Sequence, residues 1–327
     1  GKYSDVLTAT YTENKNYTVT VNNGDFTIKT ASIPGASLTA TGGSWPYDGQ
    51  AHGVTATVTG AEDYTIYYKT GNGEWTTEVP AVTDVAEGEV TVEVKAERTG
   101  YATLTASSVT LEITPKAVTV TTESASKVYD GSALTAGGKV EGIVDGETYG
   151  LTVTGSQTEV GTSTNSYTLS WAGDDNQYTA KESNYKVVEN LGTLTVTAQS
   201  INDDAKISVD KPTNTEYNGT EQKWTPTVKH EDATLVEGKD YEVKYSTTDF
   251  TNVTGEITVT ITGKGNYSGE VTRTYQITPK AVTITVEDAE KFYGEQDPVF
   301  TGEVSGLISE NDLGEVSYSR TNSGVEA

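Results

Sequence analysis

The chain has 327 residues, 22 Lys and Arg against 47 Asp and Glu, a formal net charge of −25, and neither Cys nor Met. Without Cys there is no disulfide framework, thiolate metal site or cysteine nucleophile. The acidic balance argues against nucleic acid and anionic membrane surfaces, which need clustered Lys and Arg.

The missing Met implies an internal or processed piece of a longer chain. It carries no signal peptide and no apolar run long enough to span a membrane as a helix, so no membrane insertion is expected in it. A hydrophobic content of 34% would suit a disordered chain, but 20 Tyr and repeated Thr–Val alternation are strand composition.

In chain order, residues 16–33 read NYTVTVNNGDFTIKTASI, and a related stretch, NYKVVENLGTLTVTAQSI, returns at 184–201. WPYDGQAHGVTATV (45–58) pairs with TEYNGTEQKWTPTV (215–228), and EDYTIYY (62–68) pairs with KDYEVKY (239–245). ITPKAVTV (113–120) recurs as ITPKAVTI (277–284), followed by KVYDG (127–131) in one case and KFYGE (291–295) in the other. Two module types therefore alternate. Residues 1–33 read as the C-terminal part of one type, 34–116 as a type-B module, and 117–200 as a complete copy of the first type. Residues 201–280 form a second type B, and 281–327 begin a further module.

Period-2 alternation marks half-buried strands at Val90–Val94, Leu194–Val196, Ile257–Ile261 and Val282–Val286. Gly, Asn and Asp clusters separate them, and no stretch of ten residues holds a 3.6-residue period. GIVDGETYG (142–150) and GLISENDLG (306–314) are each expected to hold one short helical turn. Fold class is expected to be all-β, as tandem small β-sandwich or β-grasp-like modules in an elongated array. Tyr47-Asp48-Gly49, Tyr129-Asp130-Gly131, Tyr217-Asn218-Gly219 and Tyr293-Gly294-Glu295 read as one structural device used four times. Asp or Asn followed by Gly suits tight hairpin turns, with the Tyr anchored at the core edge.

ITPKAVTV followed by KVYDG resembles the YDG domains of bacterial surface proteins. AVTITVEDAEKFYGEQDPVFTGEVSGL (281–307) is similar to the start of the MBG repeat of the YGX type, named for a β-grasp domain first described in mucin-binding proteins. The type-B stretches are similar to tandem repeats of gut-bacterial adhesins. The resemblance implies a secreted protein on the bacterial cell surface, built from structural repeats that form a stalk without catalysis. The alternative is that the repeats bind host mucin or glycans weakly and multivalently. It transfers no functional residues.

The residues themselves carry little chemistry. His52 and His230 lack ligand-spaced neighbours, and no nucleophile elbow, P-loop or dinucleotide fingerprint is present. No catalytic residue, metal ligand or cofactor is expected, and the chain is expected to be a monomer. Gly173-Asp174-Asp175-Asn176 and Asn202-Asp203-Asp204 read as solvated turns, with Ca²⁺ binding as the competing reading. Of the four Trp, Trp224 aligns with an inward position. Trp75, after the Gly71-Asn72-Gly73 turn, is the aromatic expected to be most exposed, and the one candidate for stacking on a sugar.

Overall fold

The structure, a computed structural model, describes residues 1–202 and 205–321. These are strands joined by turns and loops, with single 3₁₀ turns at Val85–Glu87 and Glu182–Asn184. Among the described residues there is no α-helix, and the chain is nearly all β, in small sheets of two to five strands. The two short helical turns expected at 142–150 and 306–314 are hydrogen-bonded turns instead, closed by Glu147 N–H on Val144 C=O and by Asp312 N–H on Ser309 C=O. Glycines punctuate both stretches too closely for a helix to propagate.

Two compact units divide the chain: residues 1–123, 136–154 and 165–192, and residues 124–135, 155–164 and 193–327. This division distributes residues 117–200 over both units.

In the first unit, Val90–Glu97 is the central strand. It pairs antiparallel with Thr65–Thr70, Leu104–Thr105 and Val109–Thr114, and the last of these runs parallel to Gly43–Pro46. Ser37–Thr41 with Thr55–Thr59, and His52–Gly53 with Ala81–Val82, add two further pairs. The alternation read from the sequence is realised in side-chain burial: Val92, Val94 and Ala96 are buried, with charged residues between them. Leu38, Val54, Val82, Leu111 and Ile113 complete that core. Each such aliphatic side chain contributes about 1.5–3 kcal/mol of burial free energy. The same unit holds Lys116–Thr122 between Gly138–Glu141 (antiparallel) and Tyr185–Asn190 (parallel), and the antiparallel pair of Gly150–Val153 with Tyr167–Ser170.

In the second unit, Thr193–Thr197 lies parallel to Ala125–Val128 and antiparallel to Gly161–Thr164. Glu256–Gly263 pairs antiparallel with Tyr241–Tyr245 and Glu270–Thr278, and Glu270–Thr278 runs parallel to Thr215–Glu216. Ile257, Val259 and Ile261 fill the core beside Tyr275 and Ile277. Thr283–Val286 pairs with Gly302–Ser305.

The repeat holds at the level of strand register. Trp45 pairs with Ile113, as Thr215 pairs with Ile277. Thr119 pairs with Glu141, as Thr283 pairs with Ser305, a shift of 164 in both strands. The segments 116–141 and 280–305 therefore start their modules in the same way.

Candidate functional site

The feature that recurs with the same geometry is the tyrosine–glycine loop. In the first three copies a short strand runs parallel to the module's last strand, and the chain then turns away. The Tyr amide closes the pair: Tyr47 N–H donates to Thr114 C=O at 2.9 Å, Tyr129 N–H to Thr197 C=O at 2.8 Å and Tyr217 N–H to Thr278 C=O at 2.9 Å. The same threonines reply with their hydroxyls. Thr114 Oγ1 donates to Trp45 C=O (3.2 Å), Thr197 Oγ1 to Lys127 C=O (3.3 Å) and Thr278 Oγ1 to Thr215 C=O (3.1 Å).

The next residue forms an Asx turn. Asp48, Asp130 and Asn218 accept the N–H two residues on through Oδ1, each at 2.9 Å. Gly49, Gly131 and Gly219 then take positive φ of 77°, 78° and 76°, where a side chain is strained. These are not hairpin turns with two positive-φ residues, as the sequence suggested, because the strands they leave are paired in parallel with a distant segment. The fourth copy is a different turn. There Gly294, directly after the tyrosine, carries the positive φ of 82°, and Tyr293 is 80% exposed.

The tyrosine of each true copy points onto residues of the following segment. Tyr47 Oη donates to Glu147, and Tyr185 Oη donates to the other oxygen of the same carboxylate. The two rings meet edge-on at 5.5 Å, and Trp171 stacks on Tyr185 at 5.6 Å. Burial, reinforced by the neighbouring Glu147 carboxylate, pushes the Tyr47 phenol up to about 12 and raises Tyr185 as well. Beside them Asp84 takes an ion pair from Lys181 at 2.8 Å and a hydrogen bond from the buried Asn184 amide at 2.7 Å. Both partners hold its carboxyl below the usual range, Lys181 first. Asn184 Oδ1 in turn accepts Val85 N–H at 3.0 Å. Gly49 approaches Val144 so closely that a Cβ would sit 3.2 Å from its Cγ1.

The second copy places Tyr129 edge-on to Tyr267 at 5.6 Å, and Tyr267 meets buried His230 at 3.2 Å between Oη and Nδ1. Burial raises the Tyr267 phenol to about 12. Asn266 closes the same joint by accepting Val160 N–H at 2.9 Å and donating to Glu159. In the third copy a Cβ on Gly219 would fall 2.8 Å from Ile308 Cγ2, so a side chain there would have to displace Ile308. At this joint the residue corresponding to Glu147 is Asn311, and the contact around Tyr217 is an open groove with Val282, Leu307 and Ile308. In all three copies the tyrosine amide, the threonine hydroxyl and the Asx oxygen are bonded, and in the first the tyrosine phenol is bonded as well.

Trp75 is only half-buried in the first unit. It lies beside the bridge between Tyr68 and Thr76, and the Lys95 and Lys69 ammonium groups sit 4.5 Å and 5.4 Å from its ring centroid. The most exposed aromatics are others: Phe292 and Tyr293 at 80% and Tyr17 at 74%. Sequence reasoning missed them because it judged exposure from turn residues and not from the strands that are available to cover each ring. His52 stacks on Trp45 at 4.8 Å and bonds Asp48, while His230 lies in the other unit. In the acidic turn, Asp174 accepts Trp171 N–H at 2.7 Å and Asp175 accepts Gln177 N–H at 3.2 Å. Of the second acidic turn, Asp203 and Asp204 lie outside the described residues. Among the described residues no group of three or more His, Asp or Glu is placed to hold a metal ion, and no helix is long and apolar enough to cross a membrane.

Residues 282–326 match the family model of the MBG domain (YGX type). No curated protein matches the chain. Among solved structures it is similar to protocadherin gamma B2 extracellular cadherin domains 3–6, at 13% identity and a TM-score of 0.24, covering 80% of this chain and 77% of that one. It is also similar to a tetra-tandem repeat in the extending region of a large adhesion protein, at 17% identity and a TM-score of 0.25, covering 77% and 76%. A third is the set of fibronectin(III)-like modules of Clostridium thermocellum CbhA, at 9% identity and a TM-score of 0.19, covering 74% and 94%.

Proposed function

We propose that this chain is a structural repeat region, a stalk, of a bacterial cell-surface adhesin-like protein, and that it works by spacing rather than by catalysis. The observation that carries this reading is the tyrosine–glycine loop, which closes onto the last strand of its own stretch with the same amide hydrogen bond at residues 47, 129 and 217 and turns its tyrosine toward the segment that follows. A stalk needs stiff joints, and a joint tied by backbone amide and threonine hydroxyl bonds and packed around a tyrosine resists bending more than a bare linker does. The MBG match at 282–326 supports the extracellular setting. The modules proposed are those read from the sequence: 1–33, 34–116, 117–200, 201–280 and 281–327.

The second reading, multivalent mucin or glycan binding, rests on half-exposed Trp75. One feature weighs against it. Lysine ammonium groups crowd the Trp75 ring, at 4.5 Å and 5.4 Å from its centroid. Binding of the chain to intestinal mucin and to a glycan array distinguishes the two. The stalk reading expects no saturable binding at high micromolar concentration. Saturable binding that Trp75→Ala abolishes would replace it with the adhesive reading.

A further inference from the structure

One cavity of the second unit is built by residues that the repeat does not require. Between the paired stretches the first type-B module runs three residues, 59–61, and the second runs ten, 229–238. The added length folds into a hairpin: Val228–His230 pairs with Ala233–Thr234, and Glu231-Asp232 makes the two-residue turn. Glu231 takes a φ of 52°, in the left-handed region that is costly for a residue with a side chain, and its N–H is held on Lys206 C=O at 2.7 Å. The first type-B module does without this turn, so spacing alone does not explain it.

The hairpin and the tyrosine–glycine loop at residues 129–131 enclose a cavity of about 340 Å³. Its walls are aromatic: Tyr129, Tyr267 and His230, with Tyr267 edge-on to both of the others. Its rim is acidic: Asp130, Glu231 and Asp232. Lys127 takes one oxygen of Asp130 at 2.6 Å, whereas the carboxylates of Glu231 and Asp232 have no partner among the described residues. His230 is only 9% exposed. Its Nδ1 meets Tyr267 Oη at 3.2 Å, and its Nε2 has no partner among the described residues. With the ring proton on Nδ1 and donated to Tyr267, Nε2 is an acceptor at the cavity wall.

A buried acceptor, aromatic rings and two uncompensated carboxylates share one demand, a cation that donates hydrogen bonds. A bare metal ion does not fit, because no three His, Asp or Glu among the described residues are placed to hold one. A guanidinium fits: it is flat enough to lie on a tyrosine face, permanently charged, and its forked N–H groups reach a nitrogen and a carboxylate together. Free arginine fits less well, since the lining offers no cation for its α-carboxylate and the chain's net charge is −25. We infer that this cavity is a docking site for an arginine side chain of a basic partner protein, with Glu231 and Asp232 holding the guanidinium and His230 Nε2 accepting one of its N–H groups.

Nuclear magnetic resonance titration of the isotope-labelled chain with N-acetyl-arginine amide tests this. The expected result is a saturable shift of the amides of residues 129–131, 230–233 and 267, with a Kd of about 1–10 mM for a single charge-assisted contact. N-acetyl-citrulline amide, which has the shape without the charge, should bind about tenfold more weakly or less, and so should the arginine probe to the double variant Glu231→Gln/Asp232→Asn. Both substituted residues are exposed, so the rest of the spectrum should not change. Free L-arginine should bind more weakly than the blocked amide. Absence of shifts at these residues up to about 50 mM overturns the inference, as does citrulline binding equal to arginine or a double variant that binds like the parent. Equal shifts at the acidic turn 173–176 would mean general screening of a negative chain and overturn it too. Tighter binding of free arginine would overturn the assignment to a partner protein.

Discussion

Replacing Asn165 with alanine should lower the unfolding free energy of the chain by about 2 kcal/mol, because its amide's two hydrogens bridge the carbonyls of residues 123, 136 and 137 while its own Oδ1 has no partner to lose. Asn165 is fully buried. Its amide donates to the carbonyls of Glu123, Ala136 and Gly137 at 3.0, 3.3 and 3.3 Å. Its own backbone is bound as tightly: Asn165 N–H donates to Gly192 C=O at 2.9 Å, and the buried hydroxyl of Thr122 donates to Asn165 C=O at 2.7 Å while accepting Gly192 N–H at 2.9 Å. One side chain thus ties the end of the strand Lys116–Thr122 to the residues before Gly138–Glu141. Alanine keeps the backbone bonds, including Glu123 N–H to Gly137 C=O, and takes the side-chain donor away from the carbonyls of Glu123 and Ala136. Urea denaturation of the first unit's transition, followed by tryptophan fluorescence, measures the change; a loss below about 1 kcal/mol would remove Asn165 from the account.

The second large effect is expected at Glu147. Leucine in its place fits the partly buried site but leaves the hydroxyls of Tyr47 and Tyr185 without an acceptor in surroundings where both rings are buried. Two stranded donors should cost about 2–4 kcal/mol. The companion substitution Glu147→Gln keeps one amide oxygen as acceptor and should recover about half of that loss. A purely steric role for Glu147 would instead make leucine and glutamine equivalent. Thermal unfolding of both variants beside the parent chain separates the two explanations.

Much of the fold is legible in the residues because the strands are half-buried. Val90-Thr91-Val92-Glu93-Val94 and Ile257-Thr258-Val259-Thr260-Ile261 alternate strictly, and their inward members are the ones that the structure buries. The repeat is legible for the same reason, since ITPKAV fixes a strand and its exit in both places. What the sequence hides is pairing between distant segments. Nothing local in Trp45-Pro46-Tyr47 says that the strand runs parallel to Val109–Thr114, so the loop looks like a hairpin turn when it is the end of a parallel pair. Asn165, in Thr164-Asn165-Ser166, reads as one more polar loop residue; its burial depends on the carbonyls of residues 123, 136 and 137 converging on it. Glu147 is equally unremarkable among 47 acidic residues until two tyrosines from separate segments close on it. Exposure of Trp75 was overestimated because a Gly-Asn-Gly turn suggests solvent, whereas Lys69 and Lys95 extend from neighbouring strands over the ring.

The stalk reading stands or falls on whether these joints hold the modules in a row. Small-angle X-ray scattering of the chain, extrapolated to infinite dilution so that association does not contribute, asks this directly. A compact globule of 327 residues has a radius of gyration of about 20 Å, and tandem modules joined end to end should give about twice that or more. A value near the compact limit would contradict the account, because modules folded back on one another cannot serve as a spacer.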